Sequence, residues 1–146
     1  MTEPLGEPTS GDDIDRLEIA LRVTSDDLDP RRITRMLNVN PTFAAAKGEE
    51  VDVRGVPITQ ATGTWRYALP ASSEWELGDA IDTLLEQFPA DPALWESLAS
   101  WADVAVVCEL HVHDAARSGN VPPDTLARLA ERRLALRLEI RALHAE

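Results

Sequence analysis

With a single cysteine, the chain excludes an internal disulfide and offers no cysteine-rich metal framework. No apolar run approaches the ~20 residues that a membrane-spanning helix needs, so no membrane partner is expected. Residues 1–15 have neither a basic leading segment nor an apolar core, and are not read as a secretory signal. The patterns Gly-x-Ser-x-Gly, Gly-x-Gly-x-x-Gly and the Walker phosphate loop are all missing. That removes the commonest short signs of hydrolases, dinucleotide enzymes and nucleotide triphosphatases. One lysine, Lys47, stands against thirteen arginines, a bias that reflects codon usage more simply than function.

What remains is globular in composition. Of 146 residues, 44% are apolar and 27% charged, enough for one domain with a proper core and too few for two ordinary ones. Residues 1–15 carry five acids and no cation beside two prolines and two glycines, the signature of a disordered acidic tail. Residues 16–143 then form a single domain, cytoplasmic by default. The formal net charge of −12 is uneven: residues 67–116 hold ten acids and no Lys or Arg, whereas residues 117–146 are net positive. Such a middle repels phosphate backbones, which argues against nucleic acid as a partner. It would suit a basic protein; the plainer reading is a solvated acidic helical face.

Residues 16–37 organise the chain. Leu17, Ile19, Leu21 and Val23 alternate with Arg16, Glu18, Ala20 and Arg22, the period of a strand with one buried face. Asp29-Pro30 then starts a helix, the carboxylate serving as cap and the proline suiting the first position. Asn38 can close it in the left-handed conformation, and Pro41 prevents continuation. Residues 43–48 read as a connector or one helical turn. Residues 51–58 read as an edge strand interrupted by Gly55 and Pro57, able to form a hairpin with a strand at 63–69 that carries Trp65, Tyr67 and Leu69 on one face.

Ser73 and Glu76 have the spacing of a capping box ahead of a helix with Leu77, Ile81, Leu84, Leu85 and Phe88 on one stripe. Asp91-Pro92 repeats the earlier start before Leu94, Trp95, Leu98 and Trp101. Residues 104–113 form the clearest second strand: Val104, Val106, Cys108, Leu110 and Val112 face one way, Glu109, His111 and His113 the other. A helix from Asp124 to Arg133 turns Leu126 and Leu129 inward. The last stretch has helical composition but strand pattern, Leu134, Leu136, Leu138 and Ile140 alternating with Ala135, Arg137, Glu139 and Arg141; burial outweighs propensity, so a strand is expected. The fold class is α+β: a two-layer sandwich with a ferredoxin-like βαββαβ core, an added helix and C-terminal strand, and a mostly antiparallel sheet.

Several segments together resemble the bacterial family catalogued as domain of unknown function 4279. They are Ser25-Asp-Asp-Leu-Asp-Pro30, Asn40-Pro41-Thr42 leading to Lys47-Gly48, Gly63-Thr-Trp65, and Pro123-Asp-Thr-Leu-Ala-Arg-Leu-Ala130 before an alternating strand. The resemblance covers roughly residues 14–143. It implies a small α/β bacterial domain ending in a strand, and no activity. Arg132-Arg133 depart from it, standing where such proteins tend to have a glycine turn.

Glu109, His111 and His113 form the sharpest constellation. Alternate strand residues share a face about 6.6 to 6.8 Å apart, so these could converge as an open metal site. The plainer reading is a polar sheet face on which Arg22, Arg66 and Arg137 pair across strands with Glu18, Glu109 and Glu139. Asp26, Asp27 and Asp29 lack an EF-hand's spacing and read as a turn and helix cap. Cys108 faces the core, away from both histidines, which rules out a Cys–His dyad. No cofactor is expected.

Two functions follow. The first is a non-enzymatic interaction module, of immunity type, whose acidic surface binds a basic protein. The second is a small-ligand or metal-dependent enzyme on the outward sheet face, with Glu109, His111 and His113 as ligands and Arg22 or Arg66 holding an anionic substrate. Free edges near Val51 and at residues 134–143 would also allow a homodimer by strand pairing.

Overall fold

The first strand, β1 (Arg16–Ser25), sets both layers by its alternation: Ile19, Leu21 and Val23 have no accessible surface, while Glu18 and Arg22 point to the other side. The structure, a computed structural model, describes residues 16–71, 76–112 and 119–142. After β1 the chain turns into α1 (Pro30–Leu37), where the Asp29 carboxylate accepts the Arg31 N–H at 3.1 Å. Asn38, at φ 58°, ends this helix in the left-handed region, and its N–H returns to the Thr34 carbonyl.

Residues 43–45 correct the expected connector. They form a short strand, β2 (Phe43–Ala45), because Thr42 docks on the neighbouring strand from both its N–H and its hydroxyl, each donating to the Arg66 carbonyl. Residues 50–59 also differ from expectation. Rather than one interrupted strand they are a self-contained hairpin, β3 (Glu50–Val53) and β4 (Val56–Thr59), forming a separate two-stranded sheet. Arg54 and Gly55 at φ 53° and 83° supply the two left-handed residues of a tight hairpin turn, so Gly55 makes the connection instead of breaking a strand.

The remaining elements are β5 (Gly63–Ala71), α2 (Leu77–Leu85), α3 (Pro92–Ala99), β6 (Asp103–Val112), α4 (Pro123–Glu131) and β7 (Ala135–Ala142). A Cβ at Gly63 would stand 2.7 Å from the Ser25 carbonyl oxygen and 2.8 Å from the Leu28 Cβ, so glycine permits the close approach of β5 to the end of β1. The main sheet runs β2-β5-β1-β6-β7, antiparallel except for the β6–β7 pair. The helices cover one side of it, giving a mixed α+β, mostly antiparallel architecture.

A ferredoxin-like core is not confirmed. That arrangement places another strand between the two joined by a crossover helix, whereas β6 and β7, joined through α4, are direct neighbours. β1 and β5, joined through α1 and the hairpin, are antiparallel neighbours as well.

Between the layers, Trp65 and Trp95 are fully buried, and Phe88 meets Tyr67 and Trp95 edge-on at 5.4 and 6.2 Å. Both indoles find partners: Trp65 donates to the Thr34 hydroxyl at 3.1 Å and Trp95 to the Pro89 carbonyl at 2.8 Å. The α2 stripe of Leu77, Ile81, Leu84, Leu85 and Phe88 is buried as its spacing requires. Ser73 of the expected capping box lies outside the described residues, and Glu76 at the N-cap makes no side-chain capping bond.

Two inward assignments need correction. On α4 the buried positions are Thr125 and Leu129, while Leu126 is half exposed. The helix is rotated by the Thr125 hydroxyl, which donates to the Asp82 carboxylate of α2 at 3.0 Å while Arg128 donates to the same group at 2.7 Å. On β7 the strand reading holds, but burial fades along it: Leu134, just before the strand, is buried, whereas Leu138 and Ile140 keep 50% and 68% of their surface. β7 is an edge strand, and the helical layer covers only its beginning. Among the described residues, no helix is long and apolar enough to cross a membrane.

Candidate functional site

The outward side of the sheet brings the expected polar residues together in rows across the strands. Register pairs place Glu18 of β1 opposite Glu109 of β6, and Glu109 opposite Glu139 of β7. One row along, Arg16, His111 and Arg141 are aligned; on the other side of the carboxylates come Ala68, Ala20 and Val107, then Arg66 beside Arg22. Like charges directly opposite one another destabilise a sheet, so the acidic row needs cations from its neighbours. Arg141 supplies one, its Nε donating to Glu109 Oε2 in a short hydrogen bond. Arg137 donates from Nε to Glu139 at 3.0 Å, and Arg66 reaches over the alanine row to Glu18 at 3.8 Å. Ala20 is thereby buried although it faces away from the helices.

This geometry leaves little chemistry open. His111 Nε2 lies 3.5 Å from the same Glu109 oxygen that Arg141 engages, so that carboxylate is already occupied. The Arg141 hydrogen bond holds the Glu109 carboxyl below the usual range, against a desolvation that pushes it up; the charges of Arg141, His111 and Arg66 add to the lowering. A cation placed there would meet guanidinium groups on two sides. Among the described residues, no three His, Cys, Asp or Glu side chains are placed to hold a metal ion, and His113 lies outside the described residues. Arg22, the proposed anion holder, lines a recess of about 470 Å³ with Thr24, Asp103 and Arg137, and Arg66 lines another of about 270 Å³ with Glu18 and Thr42. The two recesses are separate, so the two arginines are register neighbours without sharing one pocket.

A third recess, about 480 Å³, opens at the end of the sheet between Asp26, Asp27, Thr62, Trp101 and Asp103. Here Asp29 caps α1, and Asp26 is held below the usual range by a hydrogen bond from Thr62 and by Lys47, 3.4 Å away. The turn reading of this acidic cluster holds. On the helix side of the sheet, Cys108 is buried between layers, and that burial pushes its thiol up to about 12, far from a nucleophile's range.

The helical layer presents the other charged surface. Glu76, Asp79, Glu86, Asp91 and Glu96, on or beside α2 and α3, are all exposed. Asp82 is drawn toward α4 by Thr125 and Arg128, and Glu96 lies 3.6 Å from Arg133.

Arg141 was absent from the expected ion-pair set, as was the Asp82–Thr125–Arg128 cluster. The signal for Arg141 lay in the alternation of β7, since it shares the parity of Arg137 and Glu139. Nothing local marks Asp82 and Thr125, which meet only because two helices pack. No curated protein and no solved structure matches the chain at a significant level. Residues 15–143 match the family model described as Domain of unknown function (DUF4279), and the chain belongs to that family.

Proposed function

We propose that the protein is a cytoplasmic, non-enzymatic interaction module that engages a basic protein partner through its helical layer, in the manner of an immunity-type neutraliser. The observation that carries this reading is the exposure of Glu76, Asp79, Glu86 and Asp91 within a stretch that contains no Lys or Arg, with Glu96 beside them although it also meets Arg133 at 3.6 Å. Exposed carboxylates on and beside α2 and α3 attract a cationic partner and speed encounter at low salt, while the arginines of α1 and α4 lie on other helices of the layer. The opposite sheet face supports the reading from the other direction. Its carboxylates are engaged by Arg66, Arg137 and Arg141, so they serve the sheet before they could serve a substrate.

A pull-down from the native cell tests this at low and high salt, with wild-type protein and an Asp79→Lys/Glu86→Lys/Glu96→Lys variant. The expected outcome is one partner retained at low salt, released at high salt and lost from the variant, which still unfolds cooperatively. A partner insensitive to those substitutions but lost from Arg22→Ala/Arg66→Ala would move function to the sheet face and overturn the reading.

A further inference from the structure

We infer that the protein forms a twofold dimer in which β7 pairs antiparallel with β7 of a second copy, centred on Leu138. Three observations meet at this edge. β7 is the last strand of the sheet, eight residues long, so one whole side of its backbone is unpaired among the described residues. A long edge invites pairing with another chain, and the charges of Arg137, Glu139 and Arg141 guard this one only against a strand that does not complement them. Its helix-side residues Leu138 and Ile140 are exposed, and Leu126 of α4, half exposed, belongs to the helix packed over the same strand. Third, the strand is complementary to itself.

The last point selects the occupant and the register. A twofold axis perpendicular to the sheet keeps the helices of both copies on the same side, so each residue must face one of equal parity. With Leu138 opposite its own copy, Arg137 faces the partner's Glu139 and Glu139 the partner's Arg137. Leu136 faces the partner's Ile140, and Ala135 faces the partner's Arg141. Shifting the centre to Glu139 sets that carboxylate opposite itself and Arg137 opposite the partner's Arg141; a centre on Arg137 sets two guanidiniums together. A centre on Ile140 also sets Glu139 opposite the partner's Arg141 but pairs only residues 138–142, and a centre on Leu136 pairs only the start of the strand and sets Arg137 opposite Ala135. The Leu138 centre alone pairs residues 135–141 while placing opposite charges across the new ladder and apolar residues along its other face. Two five-stranded sheets then become one continuous sheet, and Leu138 and Ile140 lose their exposed surface.

The proposal is independent of the acidic helical surface and is tested by mass in solution. Wild-type protein should sediment at twice the chain mass over a micromolar concentration series. Leu138→Arg, at a position exposed in the single chain, should return the mass to one chain without altering the far-ultraviolet spectrum. Arg137→Glu and Glu139→Arg should each weaken the dimer at least tenfold, and the double exchange should restore it. In the chosen register the two Cα atoms at position 138 lie about 4.5 to 5.5 Å apart, within disulfide reach, so Leu138→Cys should cross-link on mild oxidation while Ile140→Cys should not. Buried Cys108 does not compete. A single-chain mass throughout the series overturns the proposal. So does a dimer that survives Leu138→Arg and fails to cross-link through position 138, which would place the interface elsewhere, the exposed β3–β4 hairpin included.

Discussion

On the helix side of the sheet Ile19, Leu21, Val23, Val106 and Cys108 have no accessible surface, whereas the same strands raise Glu18, Arg22, Glu109 and His111 on the other side. Leu21 and Arg22 are adjacent in sequence and opposite in fate. The first side is held by packing against α1, α2, α3 and α4, a cost-sensitive arrangement in which each methylene is felt. The second is held by charge rows spanning four strands, where single contributions are small and solvent can replace them. Substitution should therefore be tolerated on the outward side and resisted on the inward side.

The largest expected effect tests that contrast directly. Leu21→Ala should cost ~2–5 kcal/mol in urea unfolding, while Arg22→Ala stays within ~0.5 kcal/mol. Equal losses would mean that the outward side is covered and the contrast is false. Next comes Thr125→Val, which keeps the shape of a buried side chain but removes its hydrogen bond to Asp82. A loss of ~1–2 kcal/mol is expected, because the bond is to a charged group. An unchanged midpoint would show that Arg128 alone holds α4 against α2.

Smaller effects sharpen the picture where the helical layer hands over to the edge strand. Arg133 sits at φ 57°, a conformation that glycine adopts without penalty, and its pairing with Glu96 at 3.6 Å is well exposed. Arg133→Gly should add ~0.5–1 kcal/mol and raise the melting temperature by ~2–4 °C. A fall would mean that the arginine contributes more than its backbone strain costs. The smallest effect belongs to the charge rows. Glu109 is depressed in the folded state, so its contribution is complete above the ordinary carboxylate value and is lost as pH falls through the lower folded one. Glu109→Gln should therefore sit ~0.5 kcal/mol below wild type at pH 7, and the two curves should converge in acid. Curves that stay parallel down to the acid limit would detach the effect from ionisation.

Legibility differed between elements for physical reasons. The β1 and β6 patterns read directly, since a strand with one buried face must alternate. The Asp-Pro starts of α1 and α3 also read directly: Asp29 and Asp91 each cap an N–H two residues on. The hairpin at residues 50–59 was obscured because Gly55 and Pro57 read as breakers, and only the positive φ of Arg54 beside Gly55 turns interruption into a connection. The rotation of α4 was hidden because Leu126 and Thr125 compete for the inward position. Hydrophobicity favours the first, but the Asp82 carboxylate, forty-three residues away in sequence, claims the second. Of the candidate site, the residue types and their shared side were readable; the carboxylate row was not, since it depends on register between strands.

The amino-acid sequence by itself determined the strands, the helix starts, the family and the uneven charge, because these follow from local periodicity, capping chemistry and composition. Tertiary structure alone decided which strands are neighbours, which guanidinium meets which carboxylate, and that β7 is left at an edge with Leu138 and Ile140 uncovered. Those outcomes depend on how layers close around a shared core, and no segment carries that information separately.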